Sequence, residues 1–212
     1  MKESLEFIFS RHLSLATLSA LLFAAGIMLS IPVMKMNIGW IKAFPLWVFR
    51  RALRLLGDQP TIFRMTLVIF LFNGTAMFVY LSTGLLPLIP MIIALLTGFN
   101  VAVIFSSAGE LADQTEAGRP SSSQWIPGTA ITIVCTILVL ALELPCFWYS
   151  IAMGISMGRE LLAGGNSYAE LLAVRGRVYG GVIVPILLVS AISEAIAVRG
   201  AGALSEKRAG IR

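Results

Sequence analysis

The chain has 212 residues, of which 58% are hydrophobic and only 13% are charged, and its mean hydropathy is +0.88. Apolar blocks of about 17 to 22 residues dominate it, which predicts an all-α, polytopic integral membrane protein that forms a single transmembrane domain over residues 1–212. The net charge of +5 lies almost wholly outside these blocks, so we assign it to orientation and lipid contact. Nucleic-acid binding is excluded, because no soluble domain carries a basic face.

The N-terminal segment predicts an interfacial stretch followed by a first span. Residues 2–12 mix charges with Leu, Ile and Phe, which is typical of an amphipathic helix at the membrane surface. Residues 13–34 carry no charge and are long enough to cross a hydrocarbon core of roughly 30 Å. The run is too long for a signal peptide, and Pro32 and Lys35 follow where a cleavage site would lie, so we expect a retained helix.

Residues 36–57 are rich in Trp and Arg and predict a second interfacial helix, which ends in a turn at Gly57. We interpret this segment as a topology anchor, and the alternative is docking of anionic lipid or of a partner. The candidate lipid or interface anchors of the whole chain are Trp40, Trp47, Arg50, Arg51, Arg54 and Trp125.

Two more spans are predicted over residues 65–81 and 85–105, joined by a tight turn. Each carries one amide, Asn73 and Asn100. Counting from the turn at about 1.5 Å per residue separates the two amides by roughly 9 Å in depth, so we expect them to have separate partners. An intramembrane Asn usually forms an interhelical hydrogen bond worth about 1 kcal/mol, and a ligand contact is the alternative.

The most informative stretch is 125–160, because a carboxylate and a proline, Glu143 and Pro145, interrupt an apolar sequence. Residues 126–142 suffice for one crossing, whereas residues 145–157 are too few for a second. We therefore predict a broken or re-entrant limb over 145–157, and about six hydrophobic segments in total. Such a half-span is tolerated only where protein or a wet cavity surrounds it.

The C-terminal part predicts one more interfacial stretch, over residues 167–178, and a last span over residues 181–198. The distribution of Lys and Arg weakly favours a cytoplasmic location for residues 35–64. A re-entrant limb would place the basic tail on the same side and strengthen this bias.

Glu143 and Glu194 are the candidate functional carboxylates. An ionised carboxylate at the bilayer centre costs roughly 2.5 to 3.5 kcal/mol, so its position decides its role. Glu194 lies about 6 Å from the end of its span at about 1.5 Å per residue and can reach water or Arg199. Glu143 is interpreted as a cap at the helix break, or alternatively as a protonatable or cation-binding group or a partner contact.

The sequence offers no catalytic or metal-binding constellation. One histidine, His12, and two cysteines inside apolar segments cannot build a metal cluster, and no phosphate-binding or dinucleotide motif occurs. The string from Gly154 to Gly158 matches a Gly-x-Ser-x-Gly nucleophile elbow, but it lacks the strand-turn-helix context and favours close helix packing. We therefore predict a protein that is not an enzyme and has no cofactor or metal. The candidate break and packing residues are Pro145, Gly154, Gly158, Gly74 and Gly98.

Several strings resemble the stage II sporulation protein M family over roughly residues 61–162, about half of the chain. They are Phe70-Leu71-Phe72-Asn73-Gly74, Leu96-Thr97-Gly98-Phe99-Asn100, and Glu143-Leu144-Pro145 followed by Ala152-Met153-Gly154 and Gly158. Thr97 stands where the family usually has an Asn before its Gly, and Val139-Leu140 replace a His-Gly pair. The resemblance implies a polytopic inner-membrane protein that acts by assembly, and a sporulation role is not carried over.

These features predict a non-enzymatic scaffold or accessory subunit, multi-pass in the cytoplasmic (inner) membrane. Its expected partners are membrane lipids and other membrane proteins, in a hetero-complex or a homo-oligomer. One alternative is a permease subunit of a transporter driven by a separate ATPase, with Glu143 as its functional group. Another is an accessory subunit of a redox or photosynthetic membrane complex.

Overall fold

The computed structural model describes residues 2–57, 60–114 and 130–208, and these residues form an all-α bundle without strands. The predicted fold class is therefore confirmed. Its helices are α1 (Lys2–Lys35), α2 (Gly39–Leu56), α3 (Ile62–Ser82), α4 (Leu88–Gln114), α5 (Ala130–Leu162), α6 (Tyr168–Val178) and α7 (Val184–Arg208). A π-helical turn, Tyr179–Ile183, joins α6 to α7.

Five helical segments in the described part of the chain are long and apolar enough to cross a membrane. They are His12–Lys35, Ile62–Ser82, Leu88–Ser107, Ile137–Leu162 and Tyr168–Arg199. This architecture is that of a multi-pass membrane protein, and it agrees with the predicted count of about six, since two predicted segments are parts of one helix, α5.

Polar residues at two helix starts explain where those helices begin. The Thr61 side chain accepts a hydrogen bond from the Arg64 backbone N–H at the start of α3. Ser167 and Glu170 form a reciprocal capping box at the start of α6, which satisfies two backbone N–H groups that have no partner within the helix. Both caps follow directly from the local sequence.

Contacts between helices fix their relative directions. Phe23 of α1 packs edge-on against Phe147 of α5, with ring centroids 5.5 Å apart, and α1 residues near His12 face α5 residues near Glu160 across a shared cavity. Helix α1 therefore runs antiparallel to α5. Tyr168 Oη donates to the Ser82 carbonyl over 2.7 Å, which brings the start of α6 to the end of α3.

The bundle consequently has two distinct ends. One end, the turn face, carries the start of α1 and the turns at residues 83–87 and 163–167. The opposite end, the α2 face, carries α2 and the ends of α1, α4 and α7. Because five segments cross between them, the described starts and ends of the chain lie on opposite faces.

Phe147 lies at the centre of the hydrophobic core. Besides Phe23, its ring meets the Tyr80 ring of α3 edge-on, with centroids 5.1 Å apart. Leu81 and Ile151 are fully buried in the same cluster. Aromatic contacts with this geometry contribute about 0.5–1.5 kcal/mol each beyond their buried area, so Phe147 ties three helices together.

Helix α5 passes through Pro145 without a break, so the predicted broken or re-entrant limb is wrong. Proline removes the hydrogen bond to the Ala141 carbonyl, but its φ is compatible with a helix, and surrounding helices hold the following turns in place. Every residue from 150 to 158 is buried. The prediction that this segment needs protein around it is therefore confirmed.

Two predicted interfacial stretches are also continuous with spans. Residues 2–12 are the first turns of α1, and residues 168–178 pass through the π-helical turn into α7 without a non-helical residue. The stretch 36–57 does form a separate helix, α2. Trp125 and the beginning of the predicted span 126–142 lie outside the described residues.

Glycines let helix backbones touch at two crossings. A Cβ on Gly26 would overlap the Leu95 carbonyl, and one on Gly98 would overlap the Phe23 carbonyl, so α1 and α4 are in backbone contact. A Cβ on Gly154 would lie 2.5 Å from the Tyr80 carbonyl oxygen, and one on Gly158 would lie 2.7 Å from the Pro87 nitrogen. The predicted packing roles of Gly98, Gly154 and Gly158 agree with these contacts.

We expect Gly154→Ala to lower the free energy of unfolding by about 1–3 kcal/mol, because the added methyl group meets backbone rather than a mobile side chain. Gly176→Ala is the matched control, since a Cβ there meets nothing within 4 Å, and it should stabilise the chain by roughly 0.5–1 kcal/mol. Thermal unfolding of both variants in detergent measures the difference. Equal midpoints for the two variants would show that α5 does not contact the 83–87 turn closely.

Basic residues are distributed unequally between the two faces. Lys2, Arg11, Arg159, Arg175 and Arg177 lie on the turn face, whereas the α2 face carries Lys35, Lys42, Arg50, Arg51, Arg54, Arg64, Arg199, Lys207 and Arg208. Cytoplasmic loops carry an excess of Lys and Arg, so the α2 face is expected to be cytoplasmic. Arg199, Lys207 and Arg208 lie on the same side as residues 35–57 and 60–64, although the re-entrant limb from which this was predicted does not exist.

Single cysteines test this orientation in a background without Cys135 and Cys146. Gly165→Cys, exposed at the turn face, should react with a membrane-impermeant maleimide in intact cells. Met36→Cys, at the exposed Met36 position on the α2 face, should react only after permeabilisation. The reverse labelling pattern would contradict the assignment.

Candidate functional site

The structure brings the two intramembrane carboxylates together between α5 and α7. The Ser190 hydroxyl donates to Glu143 Oε2 over 3.5 Å. Glu194 lies one helical turn beyond Ser190 and interacts electrostatically with Glu143. Both carboxylates are half-buried. Sequence reasoning treated them separately, because their proximity depends on the antiparallel register of α5 and α7.

Glu143 lies inside the span rather than at its end. It precedes Phe147 by four residues, Phe147 packs on Phe23, and Lys35 follows Phe23 by twelve residues on an antiparallel helix. At about 1.5 Å per residue, Glu143 is about 12 Å deeper than Lys35. The interpretation of Glu143 as a cap at a helix break is therefore wrong, because α5 does not end there.

Glu194 lies closer to the α2 face than Glu143, by about one helical turn, or roughly 5 Å. Among the residues that the structure describes, Glu194 forms no ion pair with Arg199, although the sequence suggested that contact as one possibility. The two carboxylates thus form a short acidic step that begins near the α2 face and extends into the apolar layer.

The two amides predicted as polar contacts are not bonded to each other. Asn73 of α3 and Asn100 of α4 are each partly exposed, and neither side chain makes a hydrogen bond to another described residue. Instead, Tyr80 and Thr97 share a 3.3 Å hydrogen bond between these helices. The expectation of separate partners for the two amides stays a prediction.

Gly74 has a role that the sequence did not indicate. Its carbonyl accepts a 2.5 Å hydrogen bond from the Tyr179 hydroxyl, which links α3 to the π-helical turn. The Tyr179 ring also meets Phe78 edge-on, with centroids 5.6 Å apart. A π-helical turn is common at functional or strained sites in helices, and here it places Tyr179 against α3.

A second polar cluster lies at the turn face and was missed by sequence reasoning. Arg175 of α6 is buried, and its Nη2 lies 2.8 Å from Glu160 Oε1 of α5. The same nitrogen donates to the Ser156 hydroxyl over 3.3 Å, and Ser156 donates to Glu160 over 3.1 Å. One signal was available: Arg175 follows the buried Leu171 by four residues, so the two share the inward side of α6.

The predicted interface anchors on α2 are exposed on the α2 face. Trp40 is 80% exposed, and Trp47 stacks on Phe44 with ring centroids 6.3 Å apart, while Pro45 on the opposite side of the helix is fully buried. Arg50, Arg51 and Arg54 are also exposed. This division between a buried proline and exposed Trp and Arg is typical of a helix in the headgroup layer.

An apolar groove lies beside the acidic step. Its free volume is about 120 Å³, and Pro145, Cys146 and Tyr149 of α5 face the π-helical turn and Ile186 across it. Cys146 is a buried free thiol near Glu143, and Cys135 is also a free thiol. Within the described ranges, no group of three or more His, Cys, Asp or Glu side chains is arranged to hold a metal ion.

Comparisons with known proteins identify no relative of this chain, so a function has to be proposed from the geometry. No family model matches the chain, and no curated protein or solved structure is significantly similar to it. The fold and the two polar clusters define a helical, membrane-type bundle with buried and half-buried ionisable side chains at two depths.

Proposed function

We propose that this chain is a non-enzymatic integral membrane subunit that acts through partner proteins. The observation that carries the proposal is the pair of amides, Asn73 and Asn100, which lie within two membrane-spanning helices and make no hydrogen bond to any described residue. An amide at this depth has no water to bond with, so a partner outside the bundle satisfies it.

The position of Asn100 supports a contact with another chain more directly than that of Asn73. Asn100 follows the exposed Leu96 by four residues, so the two lie on the same side of α4, whereas Asn73 precedes the buried Met77 by four residues in α3. Both amides are partly exposed. A polar group beside a lipid-facing leucine, as at Asn100, favours a protein partner, because interhelical hydrogen bonds are a main source of specificity between helices in a membrane.

Two further features agree with a subunit that acts by assembly. The described helices form almost the whole bundle, and no separate soluble domain is present among them to carry an activity of its own. The resemblance of residues 61–162 to the stage II sporulation protein M family also implies assembly with partners. An inner-membrane location belongs to the same proposal.

Substitution of the amides tests this function. Asn73→Leu and Asn100→Leu should each weaken the complex several-fold, since an intramembrane hydrogen bond contributes about 0.6–2 kcal/mol. Thr17→Val is the matched control, because Thr17 is exposed in α1 but its hydroxyl already bonds the Leu13 carbonyl. In-membrane crosslinking followed by size-exclusion chromatography in mild detergent measures the complex. Elution of the native chain as a monodisperse monomer with no crosslinked partner would contradict the proposal.

A second candidate function, a permease subunit of an ATPase-driven transporter, is favoured by the acidic step. Glu143 lies about 12 Å inside the span at about 1.5 Å per residue, and its neighbours Ser190 and Glu194 lead towards the α2 face. Intramembrane carboxylates that follow one another in depth are typical of proton or cation pathways.

Proton entry into vesicles tests this candidate. Purified chain in vesicles with a trapped pH-sensitive dye and a potassium diffusion potential should acidify faster than empty vesicles, and Glu143→Gln should abolish the difference. Glu170→Gln is the control, because that carboxylate is exposed at the turn face. An unchanged rate in Glu143→Gln, or no rate above that of empty vesicles, would remove the acidic step as a reason for proposing this candidate.

A further inference from the structure

A polar cleft opens between α1 and α5 at the turn face. Its free volume is about 290 Å³, several times the volume that one water molecule occupies. It lies apart from the acidic step, since Glu160 and Glu143 are separated by about 25 Å along α5 at about 1.5 Å per residue. The cleft is lined by His12, Ser14 and Leu15 of α1 and by Ser156, Arg159 and Glu160 of α5.

The charges of the described residues that line the cleft leave it positive. Glu160 is the one acidic side chain among them, and it pairs with the buried Arg175 at 2.8 Å and accepts a hydrogen bond from Ser156. Arg159 also lines the cleft, and within the described ranges it forms no ion pair. Among these described residues, the charge left without an ion pair is therefore the +1 of Arg159.

The chemistry of the lining suits a phosphate group. A guanidinium donates two parallel N–H groups to phosphate oxygens, and hydroxyl and imidazole groups such as those of Ser14 and His12 add donors around them. The oxygens of a phosphate ester are arranged tetrahedrally around phosphorus and can meet donors from several directions, whereas the two oxygens of a carboxylate lie in one plane.

Apolar side chains beside the cleft indicate that the phosphate belongs to a molecule with acyl chains. Leu13 is 58% exposed next to His12 and Ser14, and Leu162 is 69% exposed at the end of α5. Both lie at the level of the turn face, where headgroups meet acyl chains. A phospholipid headgroup satisfies the polar cleft while its chains cover these leucines, as basic pockets between transmembrane helices do for anionic lipids.

We infer that this cleft is a binding site for a phosphate ester, carried by an anionic phospholipid of the turn-face leaflet, with Arg159 as its principal contact. Ser14 and His12 orient the phosphate, and Glu160, paired with Arg175, forms part of the wall. The site is independent of the proposed partner contacts, which lie on α3 and α4.

Native mass spectrometry of the full chain in neutral detergent tests the site. Phosphatidylglycerol should be retained in preference to phosphatidylcholine with the same acyl chains, and Arg159→Gln should weaken its retention about tenfold, as expected for loss of a charge-assisted hydrogen bond. Arg177→Gln is the matched control, an exposed arginine at the same face whose guanidinium bonds the Ala173 carbonyl outside the cleft. Arg177→Gln should retain lipid like the native chain.

A second arm separates the two sources of phosphate and does not depend on a variant. Glycerol phosphate and inorganic phosphate, added to the native chain, should displace phosphatidylglycerol at millimolar concentration. Soluble phosphate that raises the melting temperature through Arg159, with no retained lipid, would support the site with a soluble ligand. Equal weakening in Arg159→Gln and Arg177→Gln, or equal retention of both lipids by the native chain, would overturn the inference.

Discussion

The structure depends on the close contact between the second half of α5 and the turn that joins α3 to α4. At Gly154 and Gly158 the backbone of α5 meets the Tyr80 carbonyl and the Pro87 nitrogen at distances that no larger residue allows. Because this contact encloses residues 150–158 on every side, the helix continues through Pro145 although proline removes one of its hydrogen bonds. Packing against the neighbouring helices therefore stabilises α5 near Pro145, where one backbone hydrogen bond is missing.

This enclosure separates the two polar clusters. The acidic step around Glu143 lies towards the α2 face, and the ion pair of Arg175 with Glu160 lies at the turn face. Between them α5 presents Phe147 and Ile151 to the core, and the buried Ser150 donates to the Cys146 carbonyl of its own helix. This apolar layer separates the two clusters, and it agrees with the proposals of assembly and lipid binding.

Much of the fold follows from the sequence. Charge-free runs predicted three of the five crossing segments of the described chain to within a few residues, and the Trp- and Arg-rich segment 36–57 predicted α2, because hydrophobic length and interfacial composition act locally. The continuation of α5 through Pro145 could not be predicted from the sequence. The sequence shows the missing N–H, whereas the neighbours that surround the helix come from α1, α3, α4 and α7, most of them far away along the chain.

The candidate sites were predictable to different degrees. Glu143 and Glu194 stood out because carboxylates are rare in apolar runs, yet their juxtaposition needed the register of two antiparallel helices. Arg175 and Glu160 could not be distinguished from ordinary surface charges, because both lie next to polar turns in the sequence. Arg175 becomes buried, and its ion pair with Glu160 forms, only when α6 folds back on α5, after a turn that ends at the capping box of Ser167.

Oxygen accessibility of spin labels placed one by one over residues 137–162, leaving out Gly154 and Gly158, tests the enclosure of α5 most directly. Labels near Ile137 and Leu140, which are exposed, should meet dissolved oxygen freely, and accessibility should fall to a uniform minimum over residues 150–158. A 3.6-residue oscillation that persists through 150–158 would mean that one side of this segment faces lipid, and the account of an enclosed, continuous helix would be wrong.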